Sequence, residues 1–459
     1  MTSKAVMQKS RARRDLVSGP LPRQILELAL PSVAEQALFS VMGLLDAFWM
    51  GRVSEMALAA VTMGTTLRVV LISPMMGLSA GGMAVVARHC GADDTRRADH
   101  ATMQAILLIV FFVVPLAVLG QLMGRTFLRW MGARGEVLRD ATAYLRIVFG
   151  GLLFMETLPS MNGVIRGAGY PEYTLRINVV SIAVTFLVEA MLVLGVGPFP
   201  ALGVRAAGWA AVLGSAAGVM AQLSVLLGGK AGLCLHWRDL RPDPTVMRQI
   251  LRIAIPTTAQ RFSPNLTNAL LMKLVAYLGN DVLAAYSVLS RLIGFLRCVP
   301  TGVGNVTATM VGQNLGAEEP ERAERAVELA TLGGVFGTLL LFGGLNLWPT
   351  GVFGFFGISL ATLQVAVVAA AYAVLFEGGM AWSLIVSRAL AGAGDALSPM
   401  VINMGALWLV QLPLCWLLSV QVGLGHVGVW VGLALSYLVS GAAMTFRFRQ
   451  GYWKEIEID

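Results

Sequence analysis

Twelve stretches of the chain are apolar over about 20 residues or more, the length a helix needs to cross a bilayer. They run at approximately 25–50, 57–87, 99–123, 137–165, 174–197, 203–228, 248–278, 282–312, 324–347, 359–390, 398–422 and 427–447. A soluble core cannot absorb so many. Only 13% of the 459 residues are charged, against about 25% in a soluble domain. A spanning segment in lipid must satisfy its own backbone groups, so the sequence predicts an all-α integral membrane protein with twelve transmembrane helices.

An internal repeat constrains the arrangement further. Arg23-Gln24-Ile25-Leu26, leading to Ala29 and Pro31, recurs 225 residues later as Arg248-Gln249-Ile250-Leu251, leading to Ala254 and Pro256. The same register maps Leu58-Ala59-Ala60 onto Leu283-Ala284-Ala285, Gly167-Ala168-Gly169 onto Gly392-Ala393-Gly394, and Gly203-Val204 onto Gly428-Val429. Six helices per half is an even number. Both halves therefore enter from one side, as a parallel repeat of two pseudo-symmetric six-helix halves related by an axis along the membrane normal. The expected divisions are a basic segment 1–22, an N-lobe 23–228, a linker 229–247, a C-lobe 248–447 and a tail 448–459.

Charge placement orients the chain. The termini, loops and adjoining span ends on one side carry 22 Lys and Arg, and the loops and adjoining span ends on the other carry 6. Both termini are thus expected in the cytoplasm of a multi-pass plasma-membrane protein. The net charge of +8 belongs to that asymmetry and does not point to nucleic acid. The first stretch is too long for a signal peptide and belongs to the repeat. Cys90, Cys234, Cys298 and Cys415 form no CxxC pair, so neither a metal site nor a disulfide framework is expected. Gly77-Leu78-Ser79-Ala80-Gly81 matches a nucleophile-elbow pattern, but that motif needs a strand-to-helix turn and here it falls in a membrane helix. With no Walker, zinc or dinucleotide motif, the chain is read as a secondary transporter and not an enzyme. It is expected to be a monomer whose partners are a small-molecule substrate and the bilayer. Gly214/Gly218 and Gly428/Gly432 have the spacing of close helix packing.

Charge within a span costs about 2.5–3.5 kcal/mol at mid-helix, which makes each case a candidate: Glu35, Asp46, Glu156, Glu189 and Glu377, with Arg68, Arg146, Arg261, Lys273, Arg291 and Arg297. Asp46 and Glu189 have compatible depths on helices 1 and 5. Asn178, Thr185 and Glu189 share one helical face, as do Glu35 and Asp46. In the repeat register Asp46 becomes Leu271 and Glu189 becomes Leu414, so the scaffold alone does not require these acids. Asp46, Glu189, Asn178 and Thr185 are the expected cation-coupling set, and Glu377, Lys273 and Glu35 are candidate substrate contacts. Two carboxylates brought close in a poorly hydrated site cannot both ionise cheaply.

The run PSVAEQALFSVMGLLDAFWMGRVSEMALAA at 31–60 resembles the first helix of the multidrug and toxic compound extrusion (MATE) family. VARHCGA at 86–92, VGQNLGA at 311–317, RGAG at 166–169 and AGAGD at 391–395 resemble its loop motifs. The resemblance implies twelve helices in two six-helix lobes around a central cavity, and export of cationic or lipophilic compounds driven by protons or sodium, with the helix-1 acid, here Asp46, binding the coupling cation. The family's helix-5 Asn-to-acid pattern falls on Thr185 and Glu189, where the acid is kept and the Asn is lost. The helix-6 Thr found near Ala211 or Val212 in many members is absent. With two sodium-ligating side chains missing, the proton is the favoured ion and sodium the alternative; no cofactor is implied. The helix-7 Glu that some members carry near Pro264 is also absent. A flippase for lipid-linked sugars, usually with fourteen helices, is the second functional expectation.

Overall fold

The computed structural model describes residues 14–75, 77–195 and 201–456, with the side chains of 44–48, 51, 52, 55, 74 and 237 outside that description. The described elements are helical and fall into twelve spans. In the first half these are α1 (Leu21–Val53), α2 (Glu55–Ile72 and Leu78–Gly91), α3 (Thr95–Trp130), α4 (Gly135–Gly150 and Leu152–Gly167), α5 (Pro171–Leu194) and α6 (Val204–Leu227). In the second half they are α7 (Pro244–Tyr277), α8 (Asn280–Leu296 and Cys298–Gly316), α9 (Pro320–Leu345), α10 (Leu360–Ala393), α11 (residues 397–421) and α12 (His426–Arg449).

Among the described residues, nine helices are long and apolar enough to cross a membrane, and ten if the two parts of α4 count as one span. The remaining two are α2 and α7. A 3-10 turn at Ser73–Met75 interrupts the former. The latter carries a polar series including Thr257, Thr258, Gln260, Arg261 and Asn265.

The helix breaks follow the repeat in one place and depart from it in another. In α2 the break comes after Ile72, and in α8 it falls at Arg297, which is Ile72 shifted by 225. In α4 the axis bends by 56° at the Gly150-Gly151 step, where Val212 of α6 fills the space a side chain on Gly151 would need. Glycine pairs are a common site of sharp kinks. The matching position is Phe376, and α10 runs unbroken through it. Conversely, α11 contains π-helical turns at Ala406–Gln411 and Leu417–Gln421 around Pro413. Pro lacks the N–H that would close the preceding α-turn. Its counterpart in α5 is Val188, and α5 is α-helical throughout.

The described residues divide into two compact units, one comprising those of 14–15 and 38–255, the other those of 16–37 and 256–456. Each unit holds six spans, but the boundary differs from an N-lobe beginning at 23 and a C-lobe beginning at 248. The opening turns of α1 belong to the second unit, and the opening turns of α7 to the first. The reason is packing. Leu21, Ile25 and Leu28 of α1 join Val303, Val306, Met310 and Ile385 in one core cluster, and Gly302 lets the backbone of Val33 approach closely. In the first unit, Gly81 does the same for the backbone carbonyl of Ile250. The exchange on α7 falls at Pro256, and that on α1 comes between Ala37 and Leu38, in the second turn after Pro31, the residue the repeat pairs with Pro256.

Candidate functional site

In the first unit, α5 buries an unusual face. Thr174, Asn178, Ser181, Thr185 and Glu189, spaced by three or four residues, all point inward, while Val179, Val180, Phe186 and Leu187 are exposed. The helix is thus polar inside and apolar outside, the reverse of a soluble helix and fitting for one that meets lipid. Glu189 is only 1% exposed. The helix can lie this close to α6 because Gly214 and Gly218 face it. A side chain on Gly214 would collide with Thr185 Oγ1, and one on Gly218 would press on Ser181. The Thr185 hydroxyl donates to the Ser181 carbonyl at 2.9 Å. The GxxxG spacing on α6 therefore acts as the packing surface expected of it.

Toward the start of α5 the polar face continues into an amide chain. Asn162 of α4 donates to Asn178 Oδ1 at 3.0 Å. Gln222 of α6 donates to Asn162 Oδ1 and to the Leu158 carbonyl, both at 2.8 Å. Gln222 Oε1 is buried with no hydrogen-bond partner among the described residues. Sequence reading missed Asn162 and Gln222. The signal was present, since two uncharged amides in apolar helices are costly unless paired. Attention to charge alone passed over them.

The structure brings Asn178, Thr185 and Glu189 together on one buried face. Asp46 lies in the helical part of α1, but its side chain is outside the described residues. One turn further along α1, Trp49 packs its ring on Phe186 of α5 at 6.0 Å. Phe186 lies on the exposed flank of α5, one residue from Thr185 and three from Glu189. Nearby charges of the first unit are paired, with Arg68 on Glu156 at 3.2 Å. Ser79, the serine of the dismissed elbow pattern, sits in the first turn of the second part of α2 and donates to the Pro159 carbonyl.

The three candidate substrate contacts are scattered. Glu35 is 1% exposed and belongs with the second unit. Lys273 on α7 is exposed. Glu377 is wholly buried and held by Arg297 through two bonds, Nε to Oε2 at 2.8 Å and Nη2 to Oε1 at 2.6 Å. Among the described residues no group of three or more His, Cys, Asp or Glu is placed to hold a metal ion.

The linker between the halves is fastened to the first unit by the start of α3. Asp99 accepts from the Cys234 N–H at 2.7 Å. His100 bridges Asp239 and Asp243, both at 3.1 Å. Gln104 donates to the carbonyls of Asp239 and Arg241 and accepts from the Asp243 N–H. Burial alone would push the Asp243 carboxyl up. Its bonds from His100 and from the N–H groups of Thr245 and Val246 outweigh that and hold it below the ordinary aspartate range.

Twelve spans in two repeated sets, the first carrying a buried polar face with Glu189, define a multi-pass membrane protein. The comparisons with known proteins narrow this. The MatE family model matches residues 31–191 and 256–417, two copies in the 225-residue register. The chain belongs to that family. It is 28% identical over 436 residues, covering 93% of this chain and 94% of the other, to the probable multidrug resistance protein NorM of Deinococcus radiodurans. It is 25% identical over 412 residues, 88% and 87% of the two chains, to the probable multidrug resistance protein YoeA of Bacillus subtilis. A solved outward-facing multidrug resistance MATE family transporter superposes with a TM-score of 0.89 over 96% of this chain and 98% of its own, at 20% identity. The protein is thus a plasma-membrane transporter of the family that exports toxic compounds, and not an enzyme.

Proposed function

We propose that the chain exports lipophilic or cationic small molecules by proton-coupled antiport, with Asp46 and Glu189 as the coupling acids. The observation that carries this is the buried polar face of α5, with Glu189 almost sealed from solvent. Protonation from outside removes charge from this pocket, and α1 repacks near Pro31 to expel the substrate. Proton release to the cytoplasm, where both termini lie, resets the cycle. The membrane potential contributes about 2.3 kcal/mol per charge per 100 mV. The proton is favoured over sodium because the face offers Thr185 and no further oxygen-rich side chain on α6 near Ala211 or Val212. The names of the relatives support drug-like cargo, and nothing in the matches supports a lipid-linked sugar. The chain works as a monomer, each copy carrying its own coupling face.

Proteoliposomes loaded with fluorescent cations, under separate proton and sodium gradients, test it. Export should follow the proton gradient, and Asp46→Asn should abolish it while dye binding persists. Normal export by that variant, or export driven by sodium alone, would refute the assignment.

A further inference from the structure

A groove of about 500 Å³ runs between α9, α10 and α12 of the second unit, and none of the candidate site residues lines it. Val335, Leu339, Leu375, Val386 and Leu438 form its walls. Leu332, Leu375 and Leu438 are exposed, an apolar rim suited to hydrocarbon. Gly378 and Gly379 of α10 help to leave the groove open. Both are buried, and the repeat register pairs them with Leu153 and Phe154. The first half therefore has two large side chains where the second has none, so the scaffold does not demand this groove.

One end of the groove is charged with both signs. Glu324 and Glu328, near the start of α9, line it together with Arg449, the last residue of α12. Lys454 of the tail pairs with Glu324, and Arg325 pairs with Glu328 at 2.9 Å on the exposed side of α9. An exposed pair of that kind is weak, so Glu328 can take a second cation. No carboxylate among the described residues pairs with Arg449. The register again shows that these charges are optional, because Glu328 and Arg449 correspond to Met103 and Ser224. Just inside the charged end, Trp382 donates to Thr445 Oγ1 at 2.9 Å, and Trp is the side chain that favours the membrane–water interface. Thr331 lies one turn deeper than Glu328, and its hydroxyl makes no hydrogen bond among the described residues.

The order in depth is opposite charges, then a hydroxyl, then hydrocarbon, which is the order of groups along a phospholipid. The dimensions agree. Glu328 to Leu339 is eleven residues of helix, about 16 Å at about 1.5 Å per residue, and the hydrocarbon of one leaflet is about 15 Å deep. We propose that the groove holds an ethanolamine phospholipid of the bilayer, with one acyl chain along Val335 and Leu339, its phosphate on Arg449 and its ammonium on Glu328. A guanidinium and a phosphate make a strong charge-assisted contact, and an ammonium brings N–H donors to the carboxylate. A choline head group has no N–H to give Glu328. A glycerol head group brings no positive charge at all. The Thr331 hydroxyl, turned about χ1, is at the level of the ester carbonyl that follows the phosphate.

The test offers delipidated full-length protein an equal mixture of phosphatidylethanolamine, phosphatidylcholine and phosphatidylglycerol with the same acyl chains, and reads the retained lipid by native mass spectrometry from detergent. The wild type should retain the ethanolamine lipid about tenfold over the choline lipid, the scale of one charge-assisted contact. Glu328→Gln should remove that preference, and Arg449→Gln should lower retention of all three lipids. Val335→Trp places a large side chain in the open groove without touching the charged end. It should melt like the wild type and lose the ethanolamine lipid. Equal retention of the three lipids by the wild type, an intact preference in Glu328→Gln, or unchanged retention by folded Val335→Trp would overturn the proposal. So would a lipid-free dimer that Val335→Trp disrupts, since the groove would then belong to a second copy of the chain.

Discussion

Asn162 holds the amide chain of the first unit together, since it serves Asn178 and Gln222 at once. Asn162→Ala should take one hydrogen bond from each partner and destabilise the protein by about 1–3 kcal/mol, read as a fall in melting temperature in detergent. Gly214→Ala should be damaging for a different reason. Its methyl group would occupy the place of Thr185 Oγ1, and overpacking of this kind costs about 1–3 kcal/mol, more than the roughly 1 kcal/mol of helix propensity regained. Proton-driven export should fall with stability in both variants, and Gly214→Ala paired with Thr185→Ala should recover much of the loss. No recovery in that pair would show that the glycine matters for something other than room. Glu189 was legible in the sequence as a buried acid because charge in an apolar helix is conspicuous. The amides and the Arg297–Glu377 pair were less so, because hydrogen bonds between distant helices leave no spacing signal. Arg297 and Glu377 stand 80 residues apart.

At the scale of elements, the linker shows how a polar segment is held without a core of its own. Asp243 has a lowered pKa, so its contribution to docking is complete above the ordinary aspartate value of about 4 and is lost as pH falls through the lower folded value. The N–H groups of Thr245 and Val246, which bond to Asp243 Oδ1, should therefore exchange faster with solvent near pH 3 than near pH 6, once corrected for intrinsic rate. Unchanged protection would mean that His100 and Gln104 hold the linker without the charge. His100→Ala should loosen the same segment at neutral pH, seen as faster proteolysis between 230 and 245. The repeat made the twelve elements readable with their approximate limits. What it did not give were the departures from symmetry, the bend at Gly151 and the π-turns around Pro413. Each is traceable to a residue that the other half lacks, with Phe376 facing Gly151 and Val188 facing Pro413 in the alignment.

On the scale of the molecule, the divisions expected from the repeat were displaced by packing, because hydrophobicity marks where a helix starts but not which neighbour it chooses. A fragment beginning at residue 238 would contain every span of the second half and still lack Leu21, Ile25 and Leu28, which complete the cluster around Met310 and Ile385. Its melting temperature in detergent should rise when a peptide of residues 14–37 is added, and should not respond to the same peptide with the three side chains changed to Ala. The same feature sets a timetable for synthesis. The opening turns of α1 leave the ribosome first, yet the surfaces they rest on, from Val303 to Ile385, are translated roughly 280–370 residues later. At about 5–20 residues per second the first helix waits on the order of half a minute for its seat, and whatever guards it during that interval is as necessary to a working protein as the contacts it finally makes.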